Sequence, residues 1–173
     1  MAVHALDNAS WGFASSCFVC EPSNAHGLRI PFFHDDEAHV VRATFTLDER
    51  YSGAPRFVHG GILLAVMDEA MAWATIAIGE RFAVTTETTT RFHGPVRVGR
   101  AYEVRARVDN ATDLTLATTA EIVDANDRAR ASAQATFSVL TAQAAARAIG
   151  SADPEHDRFL RGGDAGPAAA PAP

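Results

Sequence analysis

The sequence predicts an α+β domain in which an antiparallel sheet, apolar on one face, curls around one long apolar helix. Three observations support this fold class. An apolar segment spans about 60–78, flanking segments alternate apolar and polar residues at the period of a β-strand, and the turns between the later strands are short enough for hairpins. A helix and a sheet that both carry apolar surface can bury it by packing together.

The predicted helix runs from about Gly60 to Ile78 and is closed by Gly79. It has no polar face, which is typical of a buried helix, yet Asp68 and Glu69 stand in its middle. Burial of an unpaired carboxylate is costly or raises its pKa. We therefore expect Asp68 to line a cleft, the alternative being a buried acid satisfied by hydroxyl or backbone groups. The residues on its helical face are mostly small and leave room for a ligand: Gly61, Leu64, Ala65, Ala72 and Thr75.

Glu69 lies about 100° further around the helix, so it cannot act in the same place as Asp68. We expect Glu69 to form an ion pair, for which an arginine is the candidate partner.

Six strands are predicted, two before the helix at 28–33 and 40–47 and four after it at 83–93, 102–108, 114–123 and 128–139. Pro31 suggests an edge strand or a bulge in the first of them. The third strand after the helix is expected to point Leu114 inward, together with Leu116, Ala120 and Ile122. The last strand is expected to point small side chains at the helix and so let its backbone approach: Ala129, Ala131, Ala133 and Ala135, with Phe137 and Val139.

The ends of the chain differ from its middle. Residues 1–26 are predicted to be an irregular N-terminal arm, and residues 27–140 to be the domain of sheet and helix. Residues 141–162 are predicted to be a C-terminal helical extension that begins with an Ala-rich helix near 141–149. The Gly, Ala and Pro content of 163–173 predicts a disordered tail.

Composition excludes several function classes. The net charge of −6 argues against general binding to nucleic acids or membrane surfaces. All 15 basic residues are arginine, which excludes a Schiff-base lysine and a P-loop lysine. The N-terminus lacks the basic and apolar regions of a signal peptide, and Asp68 and Glu69 interrupt the one candidate for a membrane span. We therefore expect a cytoplasmic protein.

Cys17 and Cys20 form a single CxxC motif. A structural zinc site usually needs two such pairs or a spaced pair of histidines, and the nearest histidines, His26, His34 and His39, lie at no recognised spacing. The sequence alone therefore favours two reduced, partly buried thiols over a metal or redox site.

Three segments carry a resemblance to a known family. They are "GAPRFVHGGILLAVMDEAMAWA" (53–74), "RFHGPVRVG" (91–99) and "CFVCEPSNAHGL" (17–28), the last with Glu21 where a glycine is usual. With the order of elements, they resemble the hotdog-fold acyl-CoA thioesterases, and within them the branch of the phenylacetate-pathway (PaaI-like) thioesterases.

The resemblance implies hydrolysis of an acyl thioester without a metal or a cofactor, by a homodimer or a dimer of dimers. It implies that Asp68 activates water or attacks the carbonyl, that the Gly60 N–H is the oxyanion donor, and that Thr85 positions the water. Many members carry Asn, Gln or Glu in the loop before HGG, where this chain has Ser52 and Gly53. Ser52 is therefore the candidate for orienting a water.

Further candidates surround these residues. His59 is either a general base or a structural residue of the loop, and Gly61 is a candidate substrate contact beside Gly60. Unpaired N–H groups at a helix start favour developing negative charge, although glycines there also permit tight packing. Four arginines flank the predicted site and could meet CoA phosphates or an acidic carrier protein: Arg56, Arg91, Arg97 and Arg100.

One distance predicts a site shared between chains. Gly60 and Asp68 are separated by about 12 Å along a helix, at 1.5 Å per residue, so one carbonyl cannot easily reach both in the same chain. A two-fold pair of antiparallel helices would bring Gly60 of one chain toward Asp68 of the other.

Two other functions remain open at this point. A dehydratase acting on a hydroxyacyl thioester is expected to need a histidine beside the acid, and Asp68 has no such partner in the helix. A non-catalytic acyl-CoA-binding protein is left open by Ser52 and Gly53.

Overall fold

The computed structural model of the protein describes residues 3–11 and 15–150. In chain order the elements are β1 Val3–Leu6, β2 Phe32–Asp35, β3 Val40–Thr46, a 3₁₀ turn Glu49–Tyr51, β4 Ser52–Ala54, β5 Phe57–Val58, α1 Gly60–Ala77, β6 Ala83–Phe92, β7 Ala101–Ala111, β8 Thr115–Val123, β9 Ala129–Val139 and α2 Ala142–Ile149.

Seven strands form one antiparallel sheet in the order β1-β2-β3-β7-β8-β9-β6. Its inner face packs on α1. The helix contacts strands β2, β3, β7, β8, β9 and β6. The short pair β4–β5 lies in the segment that leads into α1. The predicted α+β class and hotdog fold are confirmed, and β6 is placed at one edge of the sheet.

The core forms where α1 meets the inner face of the sheet. Val66, Met67, Ala70, Met71 and Ala74 of the helix are fully buried. Ala131, Ala133 and Ala135 of β9 are buried against them as predicted, whereas Ala129, which was also expected to point inward, is exposed at the start of the strand. By length and composition α1 could also cross a membrane, but half of it is buried within the domain, as in the core helix of a globular fold.

The N-terminal segment differs from the sequence prediction. Within the predicted irregular arm, residues 3–6 form strand β1, which pairs with β2 at the other edge of the sheet. Strand β2 begins only at Phe32, because Pro31 lacks the N–H that a ladder needs. Leu6, Val19 and Ile30 are buried in the main core, so much of this segment is part of the domain.

Two smaller differences concern the other end of the chain. Leu114 is 75% exposed, contrary to the prediction that it points inward, because β8 begins one residue later. The predicted helix near 141–149 is confirmed as α2, which is capped by the hydroxyl of Thr141. The rest of the predicted extension (151–162) and the predicted tail (163–173) lie outside the described residues.

Gly79 ends α1 by packing rather than by adopting the left-handed conformation expected of a C-cap glycine. The left-handed residue here is Glu80, with φ 53°. A Cβ on Gly79 would overlap Leu116 Cδ2 and lie 2.8 Å from the carbonyl oxygen of Thr75. Only glycine therefore lets the loop after α1 fit beneath β8.

We expect Gly79→Ala to lower the free energy of unfolding by about 1–3 kcal/mol, since overpacking forces a fully buried side chain and a helix carbonyl to move. Denaturant unfolding monitored by circular dichroism measures the change. Gly94→Ala is the matched control, because its Cβ would meet only the flexible end of Arg130, at 3.0 Å. An equal loss in both variants would contradict the packing role of Gly79.

Candidate functional site

Asp68 and Thr85 meet in the groove between α1 and the edge strand β6. The Thr85 hydroxyl donates a hydrogen bond of 2.8 Å to Asp68 Oδ1. Asp68 is half-buried, and none of the ion pairs among residues 3–11 and 15–150 includes it. With one carboxylate oxygen held by the hydroxyl, the other is available to a water or to an electrophile.

A β-bulge sets the direction of Thr85. Thr85 is opposite the inward-facing Phe137, and the register of β6 against β9 shifts between Thr85 and Glu87. Thr86 is the extra residue, and its hydroxyl donates to the carbonyl oxygen of Thr136 at 3.0 Å. Bulges redirect side chains at sheet edges and beside active sites, and this one leaves Thr85 facing the helix.

The start of α1 holds His59, Gly60 and Gly61. His59 is the N-cap, and its Nδ1 accepts a hydrogen bond of 2.9 Å from the Gly61 N–H. In the neutral ring the proton is then on Nε2. The Gly60 N–H has no acceptor within the part of the chain that the structure describes. Gly60 therefore presents an unpaired helix N-terminal donor, whereas the donor of Gly61 is already used.

Phe92, at the far end of β6, packs over Gly60. A Cβ on Gly60 would lie 3.2 Å from Cζ of the Phe92 ring, and the Phe92 side chain is 56% exposed. Sequence reasoning did not single out Phe92, although the "RFHGPVRVG" motif contains it. An aromatic ring beside a free N–H is suited to the apolar part of a ligand whose carbonyl oxygen approaches Gly60.

The loop before α1 is held by main-chain contacts. The Ser52 hydroxyl donates to the carbonyl oxygen of Glu49 at 2.7 Å, so its proton is committed within the loop. A Cβ on Gly53 would lie 2.9 Å from Cδ2 of His59, which shows how closely this loop packs on the capping histidine. Ser52 and Gly53 thus shape the start of the helix, and Ser52 can offer only its lone pairs to a water.

Arg91 and Arg97, two of the four predicted arginines, lie in different places. Arg97 stands over the Phe57 ring at 5.3 Å, beside the strand that leads to His59. Arg91 pairs with Ser132 in register and lines a cavity of about 560 Å³, together with Arg105 and Arg107. That cavity is on the outer face of the sheet, so the structure does not bring Arg91 to Asp68 within one chain.

Glu69 lies against the CxxC motif rather than against an arginine. No ion pair in the described part of the chain includes Glu69, so the predicted arginine partner is wrong. Its carboxylate and the Sγ atoms of Cys17 and Cys20 lie within 4.8 Å of one another. Burial, with the nearby Cys17, raises the pKa of Glu69 to about 7. The hydrogen bond with Cys20 lowers the pKa of Cys17, and the same bond raises that of Cys20.

The comparisons with known proteins agree with the fold. The thioesterase superfamily model matches residues 56–131, from the loop before α1 to the start of β9. This match and the architecture confirm the resemblance to the hotdog-fold thioesterase superfamily. No curated protein matches the sequence significantly.

Solved structures share the same architecture at low identity. A thioesterase superfamily protein aligns with a TM-score of 0.67 and 23% identity, over 76% of this chain and 65% of that one. A Streptococcus mutans UA159 protein bound to acetyl-CoA aligns with a TM-score of 0.56 and 19% identity, over 59% and 82%. The Escherichia coli PaaI protein from the phenylacetic acid degradation operon aligns with a TM-score of 0.54 and 24% identity, over 58% and 76%.

Proposed function

We propose that this protein hydrolyses an acyl-CoA thioester to the free acid and CoA, with Asp68 as the reacting carboxylate. The observation that carries the proposal is the hydrogen bond of 2.8 Å between Thr85 of the edge strand β6 and the half-buried Asp68 of α1. This pair lies within the region that matches the thioesterase superfamily model.

The hydrogen bonding of the Asp68 carboxylate determines how it can take part in hydrolysis. Asp68 has one oxygen fixed by Thr85 and no cation beside it, so its second oxygen can accept a proton from water or attack the carbonyl carbon. When water attacks, its oxygen bonds to the acyl carbon and its proton passes to Asp68. The C–S bond then breaks, and that proton is available to the departing CoA thiolate. The products are a carboxylic acid and a thiol.

Gly60 supplies the oxyanion donor in this proposal. Its N–H is unpaired at the positive end of α1, whereas the N–H of Gly61 is bonded to His59. Such a donor stabilises the developing oxyanion by about 3–4 kcal/mol. His59 serves to cap the helix and fix this geometry, and Phe92 flanks the position of the carbonyl.

The complete site is proposed to form between two chains. Gly60 and Asp68 lie on one continuous helix, about 12 Å apart along its axis. Strand β6 runs beside this helix at the sheet edge, with Phe92 near Gly60 and Thr85 near Asp68. Its ten residues are mostly exposed and leave one row of backbone groups unpaired. Antiparallel pairing of β6 with its copy about a two-fold axis closes this edge and brings each Gly60 toward the partner's Asp68.

The substrate class rests on the comparisons and on the arginines. One matched structure holds acetyl-CoA, and another is the PaaI protein. Arg97 lies over Phe57 in the strand that leads to the helix start, and its proposed role is to bind a CoA phosphate; the outward Arg91 is proposed to do so only for a ligand bound across two chains. A cytoplasmic location, which the sequence predicts, gives access to such substrates.

Release of free thiol from a panel of short, long and aromatic acyl-CoAs tests the proposal. Catalytic turnover on at least one member is expected, with the free acid identified by mass spectrometry. A dehydratase would instead convert a hydroxyacyl-CoA to an enoyl-CoA without releasing thiol. Tight binding of acyl-CoA with no thiol release would identify a binding protein and overturn the enzymatic proposal.

We expect Thr85→Val to lower kcat about tenfold to hundredfold, because a hydrogen bond to a charged group is lost and Asp68 is no longer held. Thr85→Ser keeps the hydroxyl and should retain most of the activity. Thr89→Val changes an outward-facing threonine of the same strand and serves as the control. Steady-state kinetics of the three variants measure these changes in kcat. Full activity of Thr85→Val would show that Thr85 is not part of the active site.

A further inference from the structure

Two cysteines and an acid meet between the N-terminal segment and α1. The Sγ atoms of Cys17 and Cys20 and a carboxylate oxygen of Glu69 all lie within 4.8 Å of one another. Cys20 is buried, and the other two residues are half-buried. Glu69 is turned about 100° from Asp68 around the helix. The cluster is therefore separate from the groove that holds Asp68 and Thr85.

Both sulfur atoms accept hydrogen bonds from N–H groups. The backbone N–H groups of Val19 and Cys20 donate to Cys17 Sγ at 3.3 and 3.5 Å. Asn8 Nδ2 donates to Cys20 Sγ at 3.6 Å and also to Glu21 Oε2 at 3.0 Å, which holds this buried amide in place. Sulfur atoms that accept N–H bonds in this way are arranged as metal-bound thiolates are, since such donors orient and stabilise them.

The cluster has acceptors and acids but no cation. The described residues provide no ion-pair partner for Glu69, and the sequence contains no lysine. A carboxylate withdrawn from water is unfavourable unless it is neutralised, paired or bound to a metal. A divalent ion would neutralise the carboxylate and two thiolates together.

We infer that Cys17, Cys20 and Glu69 bind one divalent transition metal ion, best fitted by Zn²⁺, which ties the N-terminal segment to α1. Zinc accepts two thiolates and a carboxylate oxygen in a tetrahedral arrangement with Zn–S near 2.3 Å, which places ligand atoms about 3.5–4 Å apart. The observed ligand atoms, all within 4.8 Å of one another, are close to this spacing. Binding displaces the two thiol protons to solvent, and a water completes the tetrahedron beside the partly exposed Cys17.

The metal has a structural role in this arrangement. The segment that carries the cysteines also places Val19 and Ile30 in the core and Trp11 edge-on to Trp73 of α1, at 6.4 Å. The ion therefore cross-links a long N-terminal segment to the helix that carries Asp68. It takes no part in the proposed hydrolysis, so the two proposals can fail independently.

The test uses the full-length protein, purified under reducing conditions, stripped with a chelator and titrated with Co²⁺ and then Zn²⁺. We expect one metal ion per chain, a thiolate-to-cobalt charge-transfer band and the intense visible bands of tetrahedral Co²⁺. Zn²⁺ should displace the cobalt, raise the melting temperature and protect both cysteines from alkylation. A metal-free protein with two freely alkylated thiols, or one that forms a disulfide and binds no Co²⁺ after reduction, would overturn the inference.

Variants identify the ligands. Cys17→Ser and Cys20→Ser should each abolish the charge-transfer band or reduce it by half, and Glu69→Gln, which keeps the side-chain shape, should weaken Zn²⁺ binding at least about tenfold. Asp68→Asn, at the adjacent helix position, is the matched control and should bind the metal like the parent. If a cysteine variant fails to fold, Glu69→Gln still decides the question, because unchanged affinity in it excludes Glu69 as a ligand.

Discussion

Asp68→Asn is expected to lower kcat for the best acyl-CoA substrate at least about a hundredfold, as the loss of a positioned base or nucleophile should. The amide keeps the size of the side chain and can still accept the Thr85 hydroxyl through its oxygen. The substitution therefore removes the basic oxygen while leaving the groove intact. Steady-state thiol release, with circular dichroism to confirm the fold, measures the effect.

The neighbouring acid provides the comparison for this variant. Glu69→Gln is expected to cost far less activity, because Glu69 faces the cysteines and not the groove. The assay should be run well below the melting temperature of the variant, so that any loss of stability does not lower the active fraction. If Glu69→Gln were inactive and Asp68→Asn active, the assignment of the reacting acid would be wrong.

The parts of the fold that the sequence predicts are those with a strong local pattern. Helix α1 is one long apolar segment, strands β7 to β9 alternate apolar and polar residues, and β6 is rich in threonine, which favours strands. Strand β1 has only four residues, of which Leu6 alone is buried, so its pairing with β2 has no local signal. It forms because a long-range partner is present, which periodicity cannot reveal.

The position of Arg91 shows why residue spacing cannot predict the face of a side chain in a strand that contains a bulge. In a regular strand, Arg91 is six residues from Thr85 and would share its face. The extra residue at Thr86 reverses the alternation, so that Thr88, Thr90 and Phe92 face inward and Arg91 faces outward. A run of threonines carries no sign of where the register shifts. The sequence therefore predicts that Arg91 lies in a strand, but it does not predict which face of the sheet the side chain occupies.

The candidate site also contains residues that the sequence predicts and a contact that it does not. The resemblance to the thioesterases selected Asp68 and Thr85, and the structure brings these two side chains together. Their roles stay predictions until activity is measured. Glu69 is far from the CxxC motif along the chain, so a search for metal-ligand spacing treats Cys17 and Cys20 as an isolated pair. Only the packing of the N-terminal segment on α1 reveals the third ligand.

The shared site predicts that two inactive variants restore activity together. Asp68→Asn removes the acid, and Gly60→Pro removes the proposed N–H donor. Proline is tolerated at the first residue of a helix, and His59 already has the extended conformation that a following proline requires, with φ −63° and ψ 135°. The exposed Phe92 ring can move to admit the proline ring. Gly60→Pro must first be shown by its melting temperature and size-exclusion profile to fold and to dimerise.

In a mixed dimer of these variants, one site receives both substitutions and the other receives neither. Co-expression with two different tags and double purification isolates that species, which should show about half of the parental kcat per dimer because an isologous pair contains two equivalent sites. Random exchange of equal amounts should restore about a quarter. The matched control pairs an unmodified chain with one that carries both substitutions, so that each site has one substitution and the dimer is inactive. If Gly60 and Asp68 instead acted within one chain, the result would be reversed, since the first mixed dimer would be inactive and the control would keep half of its activity.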